Sequence, residues 1–230
     1  MTAEEILKEI RNIFGKNWTT RNGQKVPEAD EITLGNEAVI LSGTVLYADL
    51  ADSTGLVNGF KPWFAAEIYK AYLLGACRAI KNQGGEITAF DGDRVMAVFL
   101  GDYKNTTAVK AAMQINYLVA RTNEMIRSTY PTTAYTLRQK IGIDFSDLFV
   151  AKTGIRKSND LVWVGRAANY AAKLATLGEH DFPTYITDDV FAKLAPEAKY
   201  GGQNKTLMWE KRIWTERQMS IHRSNWSWQI

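Results

Sequence analysis

Soft metal ligands are almost missing from this sequence. Its 230 residues include one cysteine, Cys77, and two histidines, His180 and His222. A lone cysteine excludes a disulfide within the chain. A Cys/His zinc site needs three or four ligands of those types and is nearly excluded. Any metal is therefore expected on oxygen, which points to Mg²⁺, Mn²⁺ or Ca²⁺. There is no run of ~18 apolar residues, so no membrane span is expected. The opening MTAEEILKEIRNIF carries Glu4, Glu5 and Glu9 and lacks a signal-peptide core, so a cytoplasmic protein is expected, in agreement with the scarcity of cysteine. Charge of one sign is scarce too. Net charge is +3, and residues 201–230 carry that excess, with Lys205, Lys211, Arg212, Arg217 and Arg223 against Glu210 and Glu216. The body is neutral, so a broad nucleic-acid-binding face is not indicated.

What is present is enough apolar sequence for one large domain. Residues 3–14 read as a short amphipathic helix with Ile6, Ile10 and Ile13 near one face, and 15–43 as an irregular arm. TVLYADL (44–50) is a β-rich run followed by the loop ADSTG (51–55). Phe64, Ile68, Tyr72, Ala76 and Ile80 recur at four-residue steps, which predicts a helix over 63–83 closed by Gly84-Gly85. EITAF (86–90) and RVMAVFL (94–100) read as strands joined at Asp91-Gly92, a favoured hairpin turn. A helix over 106–127 with Asn105 as its N-cap and a strand over 137–145 follow. The order β-α-β-β-α-β is the ferredoxin-like α+β pattern, an antiparallel sheet covered on one face by two helices. Further on come a strand at 160–165, a helix at 167–177, and a strand and short helix at 184–187 and 188–194. There are no repeats and no linker. The core runs from 44 to 195, preceded by helix and arm and followed by a tail (196–230) with four of the seven Trp. That tail is expected to be a hairpin packing its rings on the sheet, the alternative being a partner surface.

Two carboxylates stand out. Asp49 ends the first strand, and Asp93 starts the third. In this topology those strands are central neighbours, so both acids fall at one end of the sheet. Two acids that close repel unless a cation lies between them, as where two hard metal ions hold a nucleoside triphosphate. The loop after Asp49, with Ser53 and Thr54, offers backbone N–H groups that suit a phosphate. The alternative is a turn aspartate and a helix cap. In GRAANYAAKL (165–174), Asn169 and Lys173 share a helix face, and the alanines around them permit a close backbone approach.

Together these stretches resemble class III nucleotide cyclases over roughly residues 35–195. TVLYADLADST is similar to that family's first-metal strand, FDGDRVMAVF to its second-metal hairpin, and VWVGRAANYAAKL to its G-x-x-x-N-x-A-x-R helix. The resemblance implies that Asp49, Asp93 and the carbonyl of Leu50 hold two Mg²⁺ or Mn²⁺ ions. It also implies that Asn169 holds the ribose and that the residue at 173 stabilises the α-phosphate. In the family these last two come from a partner subunit, so a homodimer with composite sites is implied. Ser53, Thr54 and the loop amides are expected on the terminal phosphates, and a basic residue of the tail (Lys205, Lys211 or Arg212) is left open for the same role.

The departures are informative. The family's purine-reading Lys and Asp are here Ala89 and Val162, and the family's Arg is Lys173, which keeps the charge but loses the planar fork. This set resembles the pyrimidine cyclases of the bacterial Pycsar antiphage systems. That implies conversion of UTP, or alternatively CTP, to the 3′,5′-cyclic monophosphate and pyrophosphate, with the product acting on a separate effector protein. UTP is the favoured substrate. Tyr47 shares a strand face with Asp49 and is expected either to stack on a pyrimidine or to be an ordinary packed tyrosine. Arg94 is expected either to assist catalysis or to be an exposed strand arginine, and Trp163 to be core. A catalytically weak nucleotide-sensing domain is the competing binding-module reading. A ferredoxin-like RNA-binding domain lacks support because the strands have no paired aromatic stacking motifs.

Overall fold

The computed structural model describes residues 1–178 and 181–230. A helix α1 (Ala3–Gly15) and a short strand β1 (Thr19–Asn22) precede the first long strand, β2 (Glu37–Leu50). Helices α2 (Ser53–Gly59) and α3 (Pro62–Asn82), the hairpin β3 (Glu86–Asp91) and β4 (Arg94–Phe99), and helix α4 (Lys104–Thr129) follow. Next come strand β5 (Gln139–Ile155), strand β6 (Ser158–Val164) and helix α5 (Arg166–Leu174). The chain closes with β7 (Thr184–Thr187), α6 (Asp188–Ala192), α7 (Pro196–Lys199), β8 (Tyr200–Gly201), β9 (Thr206–Leu207), β10 (Glu210–Trp214) and β11 (Met219–Ser224).

The main sheet runs β10-β11-β7-β5-β2-β4-β3, with β1 on β2 and β6 on β5. Its inner order β5-β2-β4-β3 is the expected ferredoxin-like arrangement, and those pairs are antiparallel. The period-2 alternation of β2 divides its side chains between two cores. Leu46, Ala48 and Leu50 face α3 and α4, where Phe64, Ile68, Tyr72, Ala76 and Ile80 supply the anticipated apolar stripe. Val39, Leu41 and Val45 face the other side, against Met96, Val150 and the alanines of α5. The sheet is therefore covered on both faces, not on one.

The alanines of α5 are explained by Gly142 on β5. A Cβ there would lie 2.0 Å from the carbonyl oxygen of Ala171 and 2.6 Å from the amide nitrogen of Ala175. The backbone of α5 thus rests directly on the strand. An ion pair to a buried carboxylate pins its first turn: Arg166, itself exposed, donates to Asp144 of β5 at 3.0 Å and 3.2 Å, and Thr187 donates to the same carboxylate at 2.6 Å.

Several boundaries differ from expectation. The first core strand begins at Glu37, inside the span expected to be an irregular arm, and β5 runs to Ile155, ten residues past the expected end. The two extensions pair with each other, Ala38 opposite Ala151 through Gly43 opposite Ser146, and β6 covers the far half of β5. Polar Ser146 and Asp147 break the alternation there, so only the pairing partner reveals the strand. Asn105 does not cap α4. It is buried within the helix and accepts a hydrogen bond from Thr44 at 3.0 Å, and Tyr103 holds the cap position. The tail does form a hairpin, and β11 joins β7, making it part of the main sheet. Trp209 and Trp214 are buried, and Trp226 and Trp228 pack against the core under α3 and α4.

Candidate active site

Asp49 and Asp93 meet at one end of the sheet. Asp49 stands directly opposite Arg94 on β4 and Lys140 on β5, so an acid and two basic residues share one face across three adjacent strands. Arg94 Nη2 lies 3.2 Å from Asp49 Oδ2. Lys140 is buried; its ammonium donates to the carbonyl of Phe182 at 2.9 Å and lies 5.3 Å from the centre of the Tyr185 ring. Asp49, Leu50, Ser53, Thr54, Asp93, Arg94 and Lys140 share a cavity of about 330 Å³, closed on one side by residues 175–178.

The β2–α2 turn shapes its floor. Asp52 takes a left-handed conformation (φ 57°) and accepts the amide of Gly55 at 3.2 Å. A Cβ at Gly55 would fall 2.5 Å from that same carboxylate, so a larger residue there would have to displace the Asp52 cap. Ser53 and Thr54 form the first turn of α2 and present their small side chains to the cavity.

The electrostatics favour a cation. Burial pushes the Asp49 carboxyl above its ordinary range; Arg94 opposes this and Asp93 adds to it by repulsion. One oxygen of Asp93, Oδ2, is buried with no hydrogen-bond partner. Two adjacent carboxylates with an orphaned oxygen suit a hard divalent ion. Among the described residues no group of three or more His, Cys, Asp or Glu side chains is arranged as a metal cage, so an ion held by Asp49 and Asp93 would need further oxygen ligands from backbone or substrate.

The other expected residues lie elsewhere. Asn169 and Lys173 are exposed on α5, and neither lines the cavity of Asp49 and Asp93. Tyr47 shares a strand face with Asp49 but packs, half-buried, against the apolar cluster under α5, as do Ala89 and Trp163. Val162 is exposed on β6 opposite Ala151. Arg94 is not a free strand arginine, since it pairs with Asp49. Of the tail cations, Lys211 approaches Asp188 at 3.7 Å, Arg212 pairs with Glu210, and none of Lys205, Lys211 and Arg212 lines the cavity. Lys140 was not singled out by sequence reasoning. The signal for it was a basic residue at the start of β5, which becomes legible only when the strand is aligned against Asp49.

No protein-family model matches the chain. It is 50% identical to a uridylate cyclase of Xanthomonas perforans, covering 99% of this chain and 98% of that one. It is 42% identical to a uridylate cyclase of Burkholderia cepacia, covering 99% of each. Among solved structures, the adenylyl cyclase CyaB from P. aeruginosa superposes with a TM-score of 0.69 at 18% identity, covering 82% of this chain and 95% of that one. That likeness speaks to the fold.

Proposed function

This chain belongs to the uridylate cyclases, and on that premise we propose that it converts UTP to 3′,5′-cyclic UMP and pyrophosphate at the Asp49–Asp93 cavity. The observation that carries the reading is the row Arg94–Asp49–Lys140 beside Asp93 and its unpartnered oxygen. Asp49, Asp93 and the carbonyl of Leu50 would hold Mg²⁺ or Mn²⁺, whose chemistry is to neutralise the triphosphate and to acidify the ribose 3′-hydroxyl. Ser53, Thr54 and their amides orient the terminal phosphates, with Lys140 and Arg94 supplying fixed positive charge. The 3′-oxygen attacks the α-phosphorus in line and pyrophosphate leaves, so positioning and charge stabilisation do most of the catalysis.

Asn169 and Lys173 serve the site of a second copy. Their exposure on α5, outside the lining of their own chain's Asp49–Asp93 cavity, supports this. Asn169 orients the ribose and Lys173 meets charge developing on the α-phosphate. Apolar Ala89 and Val162 offer no polar edge to a purine, and Tyr47 bounds the base site. The cyclic product is a diffusible messenger for a separate effector protein. No helix among the described residues is long and apolar enough to cross a membrane.

The test is complementation. Asp49→Ala and Lys173→Ala proteins are each expected to be inactive with Mn²⁺ and UTP. Mixing them leaves one intact site per mixed dimer, so about a quarter of the wild-type rate returns. No recovery on mixing, or a product from ATP or GTP but not from UTP, defeats the reading.

A further inference from the structure

Helix α1 has no job within its own chain. It is 13 residues long and well started: Thr2 and Glu5 cap each other's backbone amides. Yet none of its side chains is buried. Its apolar residues nevertheless form one band. Ile6, Leu7, Ile10, Ile13 and Phe14 fall within about 120° of the helical wheel, while Glu4, Glu5, Lys8, Glu9, Arg11 and Asn12 occupy the opposite side. A helix this short is marginal in water on its own, so most of its stability has to come from a surface that covers the band.

The helix is also held in place. The side-chain amide of Asn36 donates to the carbonyls of Ile13 and Lys16, both at 2.8 Å. Trp18 packs edge-on against Phe149 of β5, with ring centres 4.9 Å apart. The band is thus presented from the end of the sheet on a tether built into the fold.

We propose that the apolar band of α1 is a clasp that docks on a second copy of this chain and holds the dimer together. The area fits. Ile6, Leu7, Ile10, Ile13 and Phe14 are 43% to 84% exposed. Together they leave on the order of 500 Å² uncovered, the larger part of the ~800 Å² each partner contributes to a standard interface. The polar face carries three glutamates against one lysine and one arginine, which is the wrong sign for an anionic lipid surface. The band spans three positions in seven instead of a narrow two-in-seven seam, so it suits a broad surface on the other copy more than a lone helix. The choice of a second copy as partner rests on the composite-site reading above, which already requires one.

The test is sedimentation of the full-length protein over a wide concentration range. Ile6→Glu combined with Ile10→Glu is expected to raise the dimer dissociation constant at least tenfold. Specific activity with UTP should then fall at low protein concentration and recover at high concentration. Lys8→Glu with Asn12→Glu, on the opposite face and clear of the Thr2–Glu5 cap, should leave both unchanged. The milder pair Leu7→Gln and Phe14→Gln, with thermal unfolding as a control, separates lost docking from lost folding. A double-isoleucine variant that dimerises like the wild type and keeps its activity overturns the clasp and leaves the composite site standing. Wild-type protein that turns over UTP as a monomer overturns both. Flotation of the wild type with phosphatidylglycerol–phosphatidylethanolamine vesicles, with dimerisation unaffected by the substitutions, assigns the band to lipid and also overturns the clasp.

Discussion

Gly142→Ala adds one methyl group at the place where α5 touches the sheet. The new carbon would sit 2.0 Å from Ala171 O, 2.6 Å from Ala175 N and 2.7 Å from Leu174 Cβ. Ordinary contact needs about 3.4 Å, so the helix has to back away by roughly 1.4 Å. Two of the three opposing atoms are backbone, and no rotamer change relieves them. The cost therefore falls at the upper end of overpacking, about 3 kcal/mol, which lowers Tm by roughly 6–12 °C in a domain of this size. The same displacement moves Asn169 and Lys173 relative to the site we propose they serve, and a misplacement near 1 Å costs on the order of 100-fold in turnover. Thermal unfolding and cyclic UMP formation at saturating UTP and Mn²⁺ measure the two effects. Gly59→Ala is the control, because a Cβ there meets nothing within 4 Å. An alanine at 142 with wild-type Tm and turnover would refute the close approach and the role given to α5.

Two further outcomes follow from the site and the tail. Asp93→Asn is expected to cut turnover by at least 10³-fold while leaving the metal-free protein folded. Mn²⁺ at 100 times its Kd should add about 2.7 kcal/mol to the wild type and much less to the variant, read as a Tm shift. His222 is held below 6.5, chiefly by burial, although the Asp188 carboxylate at 2.7 Å opposes the shift. The unfolded chain therefore takes up this proton first, and stability should fall as pH drops from 6.5 towards the folded value, then stop falling once the folded protein is protonated too. Urea unfolding of wild type and His222→Gln at about pH 7.5 and pH 5.5 should show a smaller pH dependence in the variant.

Much of the site was legible because its chemistry is local in sequence. Asp49 at a strand end, Asp93 after an Asp-Gly turn and the Ser53-Thr54 loop each announce themselves within a few residues, and the β-α-β-β-α-β order places the two acids together. The four-residue steps of α3 were equally plain, since a helix buries its stripe whatever lies beneath it. Asn105 shows where such local rules fail. A residue type suited to a cap was drawn into the core because Thr44, 61 residues away, offers its hydroxyl. The length of β5 was hidden for a related reason: Ser146 and Asp147 interrupt the alternation, and the strand persists only through its partners on both sides.

The sequence by itself determined the order of elements and brought Asp49 and Asp93 to one end of the sheet, because short-range patterns need no partner to be read. Only the tertiary structure decided that Lys140 and Arg94 stand opposite Asp49 on the neighbouring strands, that α5 rests on Gly142, and that Asn169 and Lys173 do not line the cavity of their own chain's carboxylates. It alone left α1 with its apolar side uncovered. Each of these depends on which strand or helix lies opposite, and register across a sheet is set by long-range pairing that no single stretch of chain contains.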